Sequence, residues 1–459
     1  MEMRTIGRET FLPSTSFLRI FLAMKYSNFN VFTNKSLKYA KLLCLKSILL
    51  ILMFSCNIKK KYYEYQEKKN NAEKHVVTDP NESQELLVED KYKSNIPILG
   101  GERMNLYLDS LKGKRVAIVG NQTSTVGNSH LVDTLISLGI TIQKVFSPEH
   151  GFRGDADAGE KVYSGTDLKT GLPLISLYGN NKKPKPSQME DVDVVIYDIQ
   201  DVGVRFYTYI STLHYVMESC AENNKPLIVL DRPNPNGHYV DGPVRDSLHK
   251  SFIGMHPVPI VYGMTIGEYA LMVNDECWLS DSLHCRLSIV PCKNYSRKMR
   301  YSIPIPPSPN LRSDAAITLY PSLCLFEATS VSIGRGTERP FEYYGHPNFP
   351  KTEFTFTPIS SFGAKNPMYE NKLCYGYDLN ALTKKRSYDI NLNWLIEAKS
   401  LLGDSNQFID QPAFFDRLAG TAELRKQINE GWTIKEIRAS WKPEIQEFRK
   451  IRAKYLLYD

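Results

Sequence analysis

Five apolar runs in this chain each stop on a cluster of polar, reactive residues. Val116–Val119 ends on Gly120, Asn121 and Gln122, and Ile140–Phe146 ends on Ser147-Pro148-Glu149-His150-Gly151. Leu174–Leu177 ends on Tyr178 and Gly179. Val192–Tyr197 ends on Asp198, Gln200, Asp201 and then Arg205, and Leu227–Leu230 ends on Asp231, Arg232 and Asn234. Short, mainly apolar runs bounded by turn residues read as buried strands. Helical spacing lies between several of them, over His130–Leu138 and over Thr208–Asn223, where Ile210, Leu213, Val216 and Met217 share a face. Strands alternating with helices predict a parallel α/β sheet. Parallel strands share one direction, so all five polar endings fall on one carboxyl edge, where open α/β sheets bind ligands.

Beyond the fifth run the pattern changes. Arg232-Pro233-Asn234-Pro235-Asn236-Gly237 is a stiff, turn-rich loop. Thr265, with Glu268 three residues on, predicts the N-cap of an amphipathic helix through Asn274, and Arg286–Val290 predicts another strand. The proline-rich crossing Pro304-Ile305-Pro306-Pro307-Ser308-Pro309-Asn310 marks the expected boundary between a domain over 96–303 and a smaller one over 304–459. The second mixes predicted helices (Asp314–Phe326, Asn393–Leu402, Gln411–Leu418, Thr421–Glu430) with a strand at Thr352–Thr357, an α+β composition.

The first 95 residues read differently. Lys35 to Lys46 is a basic region, followed by the apolar run Ile48–Phe54 and then Ser55-Cys56. That run is far short of the roughly 20 residues a spanning helix needs. A basic region, a short apolar core and a small residue describe a secretory signal over 1–56. Its ending resembles a bacterial lipoprotein signal, which implies lipidation of Cys56 and a membrane anchor. Residues 57–95 are polar and poor in large aliphatics, a flexible tether. The expected location is exported and membrane-anchored, with Asn57 favouring the outer membrane.

Composition narrows the classes. The 459 residues are 42% hydrophobic and 23% charged, which is ordinary for a globular protein. Much of the +7 net charge sits in the N-terminal lysines, and no basic helix with interleaved aromatics follows, which argues against nucleic acid. Six of the eight cysteines fall in the folded part without a CxxC pair, so neither zinc nor a disulfide framework is indicated. Export permits a bridge among Cys277, Cys285 and Cys292, but buried free thiols are the simpler expectation. No HExxH, GxSxG, GxGxxG or GxxxxGK[ST] motif occurs, so a metal, a serine nucleophile and a nucleotide all lose support.

Glu149 is the leading chemical group. Pro148 and Gly151 fix it at a strand end, and a carboxyl partly shielded there by Phe152 and a sugar-sized substrate can serve as general acid. Pairing with Arg153 is the competing structural explanation. His150 would orient Glu149 or touch substrate. Asp198 and Asp201, with Arg205, form a candidate second carboxylate station, or else cap and neutralise one another. Asp231, Arg232 and Asn234 offer donors and acceptors to a hydroxyl-rich ligand. Arg335, between Gly334 and Gly336, suits an anionic group.

SPEHGFRG, YDIQDVGVRFYTY, DRPNPNG, YGMTIGEYA, PPSPN and GRGTERPF occur here in one order. In that order they resemble the NamZ-type exo-β-N-acetylmuramidases, over about Ile98 to Asp459. The resemblance implies a Rossmann-like parallel-sheet domain followed by a smaller α+β domain, with the active cleft at their junction. It also implies cofactor-free release of N-acetylmuramic acid from the non-reducing end of peptidoglycan fragments, so MurNAc-GlcNAc saccharides are the expected partners. Carried over by position, Glu149 is the catalytic acid/base, and Asp198 and Asp201 line the sugar-binding subsite and are the further catalytic candidates. Asn121, His150, Arg153, Arg205, Tyr207, Asp231, Arg232, Asn234 and Asn310 would bind the sugar, and the charge of Arg335 suits it to the lactyl carboxylate. Retention, inversion and an N-acetyl group acting as its own nucleophile all stay open. A glycan-binding surface lipoprotein without catalysis is the alternative, and a metal-dependent esterase or deacetylase using Glu149, His150 and Asp198 a third.

Overall fold

A computed structural model describes residues 96–149, 151–154, 164–403 and 408–459. Cys56 and His150 lie outside them. Seven strands among the described residues form the main sheet: β1 (Arg115–Gly120), β2 (Thr141–Ser147), β3 (Gly165–Thr166), β4 (Pro173–Ser176), β5 (Val194–Asp198), β6 (Leu227–Leu230) and β7 (Leu287–Val290). Their order is β3-β4-β2-β1-β5-β6-β7, and every pairing is parallel except β3 with β4. The chain builds outward from β1 to β2 and β4, then returns across β1 to β5, β6 and β7. The reversal places a topological switch point beside β1 and β5.

The runs are mainly apolar because both faces of the sheet are covered. Side chains alternate: Val116, Ile118, Ile196, Ile228 and Leu230 join one cluster, with Leu131, Val132 and Leu135 of helix α1 (Leu131–Ser137). Ala117, Val119, Val195, Tyr197, Leu227 and Val229 join the other. That face is covered by α2 (Tyr209–Glu222) and α3 (Ile266–Asp275). The box expected at Thr265 forms: its side chain accepts from the Glu268 amide, and Glu268 reaches back to the Thr265 amide at 2.9 Å.

The second cluster continues into the C-terminal part, through α4 (Asp314–Leu323), α5 (Asn393–Leu402), α6 (Pro412–Ala419), α7 (Glu423–Glu430) and α8 (Ile434–Ala453). A small antiparallel sheet stands beside these helices, with β8 (Tyr343–His346), β9 (Thr355–Phe356) and β10 (Cys374–Asp378) in the order β8-β10-β9. Helix α8 turns Ile437, Trp441, Ile445 and Phe448 inward. It also ties back to the first half of the fold, since Arg438 pairs with Asp241 at 2.8 Å and the Tyr458 hydroxyl beyond its end donates to Asp231 at 2.6 Å. All six described cysteines are free thiols.

Candidate active site

The proline-rich crossing is pinned to the strand ends by its carbonyls. Tyr209 and Tyr207 both donate their hydroxyls to the Pro307 carbonyl, at 3.0 and 2.9 Å. Gln122, just after β1, reaches the carbonyls of Pro306 and Pro307 at 3.1 and 3.3 Å. Proline contributes an acceptor without a donor, so a proline run supplies free carbonyls to a ring of hydroxyls and amides. Asn121, fully buried, donates to the Tyr209 oxygen at 2.9 Å and accepts from the Thr123 amide and hydroxyl at 2.9 and 2.6 Å. Asn121 and Tyr207 are thus tied to protein partners beside the switch point.

Glu149 follows β2 on the same edge and stays half-exposed. Thr208, at the start of α2, stands 3.4 Å from Glu149 Oε2, a long hydrogen bond. The Tyr178 phenol, beyond β4, is pushed well above its ordinary range, by burial first and then by the charge and hydrogen bond of Glu149. The Tyr209 hydroxyl feels the same charge. Glu149 is therefore a carboxylate among hydroxyl groups at an open edge. Tyr178 was visible as a strand ending, whereas the tertiary approach of Thr208 and Tyr209 has no counterpart in spacing. Arg153 turns elsewhere: its guanidinium holds Asp167 through two 2.8 Å contacts and reaches Asp133 at 3.3 Å. Phe152 is a core residue, edge-on to His130 at 4.6 Å between ring centroids.

The expected second carboxylate station is not on the open edge. Asp198 is fully buried and held bidentately by Arg232, at 2.6 and 2.9 Å. Asp201 is buried as well, accepting from the Tyr262 hydroxyl and, at 2.7 Å, from the Gly203 amide, while its Oδ1 has no hydrogen-bond partner. A Cβ at Gly203 would lie 2.2 Å from the Asn234 amide, so glycine is required for that approach. Asn234 donates to the Met264 carbonyl at 2.7 Å and Asn310 to the Gly363 carbonyl at 2.7 Å, both buried. Asp231 accepts from Thr265, Tyr458 and the Gly267 amide at 2.6 to 2.8 Å, fastening α3 and the C-terminus to β6.

Arg205 and Arg335 are likewise placed otherwise than expected. Arg205 is fully buried and donates to four carbonyls, of Pro243, Val258, Leu418 and Ala419, at 2.6 to 2.9 Å. Burial pushes its guanidinium down to about 9, with Arg245 adding to the effect. It acts as a clamp between distant backbone segments. Arg335 forks onto Glu327 and lies over the Phe341 ring at 5.1 Å, so its charge is already matched.

Burial pushes the Asp201 carboxyl up to about 6, against its Tyr262 and Gly203 hydrogen bonds. The native fold therefore holds this proton more tightly than the unfolded chain, whose carboxyl titrates near ~3.9. The resulting stability is complete below that lower value and is lost as pH rises through about 6. Asp201→Asn stays neutral throughout. Relative to wild type at pH 4, the variant should gain up to ~3 kcal/mol by pH 7 in urea denaturation. Parallel stability profiles for the two proteins would contradict the shift.

Family comparisons agree with this architecture. A family model described as exo-beta-N-acetylmuramidase NamZ, N-terminal, matches residues 116–315, and its C-terminal counterpart matches residues 318–458. The chain is 37% identical over 374 residues to the peptidoglycan beta-N-acetylmuramidase NamZ of Bacillus subtilis, covering 77% of this chain and 89% of that protein. Two crystal structures of DUF1343 family proteins from Bacteroides fragilis superpose with TM-scores of 0.73 and 0.68, at 48% and 30% identity. Each covers 79% of this chain and 99% of its own. With both halves matched and most of the length aligned, the chain belongs to the NamZ exo-β-N-acetylmuramidase family.

Proposed function

We propose that this protein is an exo-acting glycoside hydrolase that removes N-acetylmuramic acid from the non-reducing end of peptidoglycan fragments, with Glu149 as its general acid. The observation that carries the reading is Glu149 itself: a half-exposed carboxylate at the carboxyl edge, met by the hydroxyls of Thr208 and Tyr178, in a chain of this family. The sugar would enter along the crossing that bounds the expected junction cleft, with its glycosidic oxygen toward Glu149.

Asp198 and Asp201 are closed off by protein partners, which favours a route in which the N-acetyl group of the substrate supplies the nucleophile. In that route Glu149 protonates the leaving sugar oxygen, the acetamido oxygen attacks the anomeric carbon from the other face, and water then opens the cyclic intermediate with Glu149 as base. The lactyl carboxylate would meet Arg335 only in competition with Glu327. Lipidation at Cys56 and a tether over residues 57–95 would place the site at a membrane surface facing the wall.

The purified protein should release chromophore from para-nitrophenyl N-acetyl-β-muramide and convert MurNAc-GlcNAc to its two monosaccharides. Muropeptide recovered intact after long incubation, with measurable affinity, would instead support the glycan-binding reading. A β-configured first product, trapped by fast NMR before mutarotation, is the outcome the acetamido route requires; an α product would refute that route alone.

A further inference from the structure

A cavity of about 330 Å³ shares no lining residue with the group around Glu149. Its walls are Pro235, Asn236 and His238 of the turn-rich loop after β6, the segment from Arg300 to Ser302, the first turns of α4, and the 383–387 strap. The size sits at the lower end of the range for small-molecule pockets, roughly 300–1,000 Å³.

Its charge is one-sided. Arg300, Lys384 and Arg386 line it against one carboxylate, Asp314, and among the described residues none of the three cations lies within ion-pair distance of an acid. This contrasts with Arg153, Arg232, Arg297 and Arg335, each of which holds a carboxylate. The two pocket guanidiniums are oriented by backbone. Arg300 donates through Nη2 to the carbonyls of Thr383 and Lys384 at 2.8 and 3.2 Å. Arg386 reaches back to those of Arg297, Lys298 and Met299 at 2.6 to 2.9 Å. Each keeps further N–H groups beyond those contacts.

Among the lining residues only Asp314 carries the opposite charge. Burial pushes Arg386 down from its ordinary value, and the charge of Arg300 adds to it. His238 is pushed down to about 4, by burial first and then by Arg386 and Arg300, so at neutral pH it is an uncharged donor to the Ser387 carbonyl at 2.6 Å. Fixed, unneutralised guanidiniums beside an apolar wall of Pro235, Ala315 and Ile317 are built to receive an oxyanion on a small organic body.

We propose that the cavity between the 235–238 turn, α4 and the 383–387 strap is a binding site for a small carboxylate- or phosphate-bearing molecule. Arg300 and Arg386 grip the oxyanion, and Ala315 and Ile317 face its organic part.

Titration calorimetry of the full chain with sodium phosphate, sodium lactate and neutral N-acetylglucosamine, at matched ionic strength, tests the site. Phosphate or lactate should bind and the neutral sugar should not; the stronger of the two anions identifies the ligand's charged group. Loss of one charge-assisted contact in Arg300→Gln should weaken binding by about tenfold or more. Thr318→Glu, one turn beyond Asp314 on α4, places a carboxylate among the cations. It should abolish anion binding while melting at or above wild type in low salt, which covers the case in which Arg300→Gln fails to fold. Glu149→Gln should bind phosphate as wild type does, which separates this cavity from the hydrolytic site. Failure of both anions to bind wild type, or equal affinity in wild type and Thr318→Glu, overturns the proposal.

Discussion

Glu149→Gln should lower kcat on MurNAc-GlcNAc by roughly 10²–10⁴-fold, the usual contribution of a positioned general acid. The size should depend on the leaving group. A sugar alkoxide needs a proton in the transition state, whereas para-nitrophenolate leaves far more readily without one. The loss on the chromogenic substrate should therefore be the smaller of the two, provided bond cleavage limits both rates. Stability should barely respond. Glutamine keeps the volume and an oxygen that accepts from Thr208 and Tyr178, and the side chain is partly exposed. Changes at such positions usually stay within about 0.5 kcal/mol. A merely structural glutamate would give the reverse, a lowered melting temperature with kcat intact and no dependence on the leaving group. That pattern would remove Glu149 from the chemistry.

The sheet was legible because it is buried on both faces, and a doubly covered strand leaves a mainly apolar run in the sequence. Helix α8 left no such trace. Its buried stripe is four residues in a 20-residue segment dense in Lys, Glu and Arg, and Pro443 interrupts the pattern that Thr433 and Glu436 announce at its start. The antiparallel strands β8 and β10 are short, and their centres pair Gly345 with Gly376, so no apolar alternation marks them.

Along this edge, which residues gather could be read but their partners could not. Polar residues after parallel strands had to gather on one edge, and they did. Whether a given arginine on that edge meets substrate or protein depends on acceptors far away in the chain. Two of the carbonyls that hold Arg205 belong to Leu418 and Ala419, which no local pattern connects to it. Asp198 and Arg232 each looked like a binding residue because each ends a strand. The β5–β6 pairing brings their loops side by side, and so they bind each other.

That ion pair makes a second large effect. Both side chains are almost wholly buried, and Arg232 also donates to the Thr125 carbonyl at 3.2 Å, joining the ends of β5 and β6 to the turn after β1. Asp198→Asn leaves the guanidinium in place without its countercharge. Breaking a buried pair from one side costs about 3–5 kcal/mol, because the remaining charge stays desolvated. The midpoint of urea unfolding should fall accordingly while its slope stays the same, as expected when native stability alone has changed. Arg232→Met should be costly for the complementary reason, leaving a buried carboxylate. The double variant Asp198→Asn/Arg232→Met should recover part of the loss relative to the sum of the two, since neither site then holds a buried, unpaired charge. Additive losses in that cycle would mean the two residues act independently, against the geometry. Activity separates the structural role from a catalytic one. If Asp198 only fixes the edge, the folded fraction of Asp198→Asn should turn over substrate within a few fold of wild type, whereas a loss comparable to that of Glu149→Gln would make Asp198 a participant in the reaction.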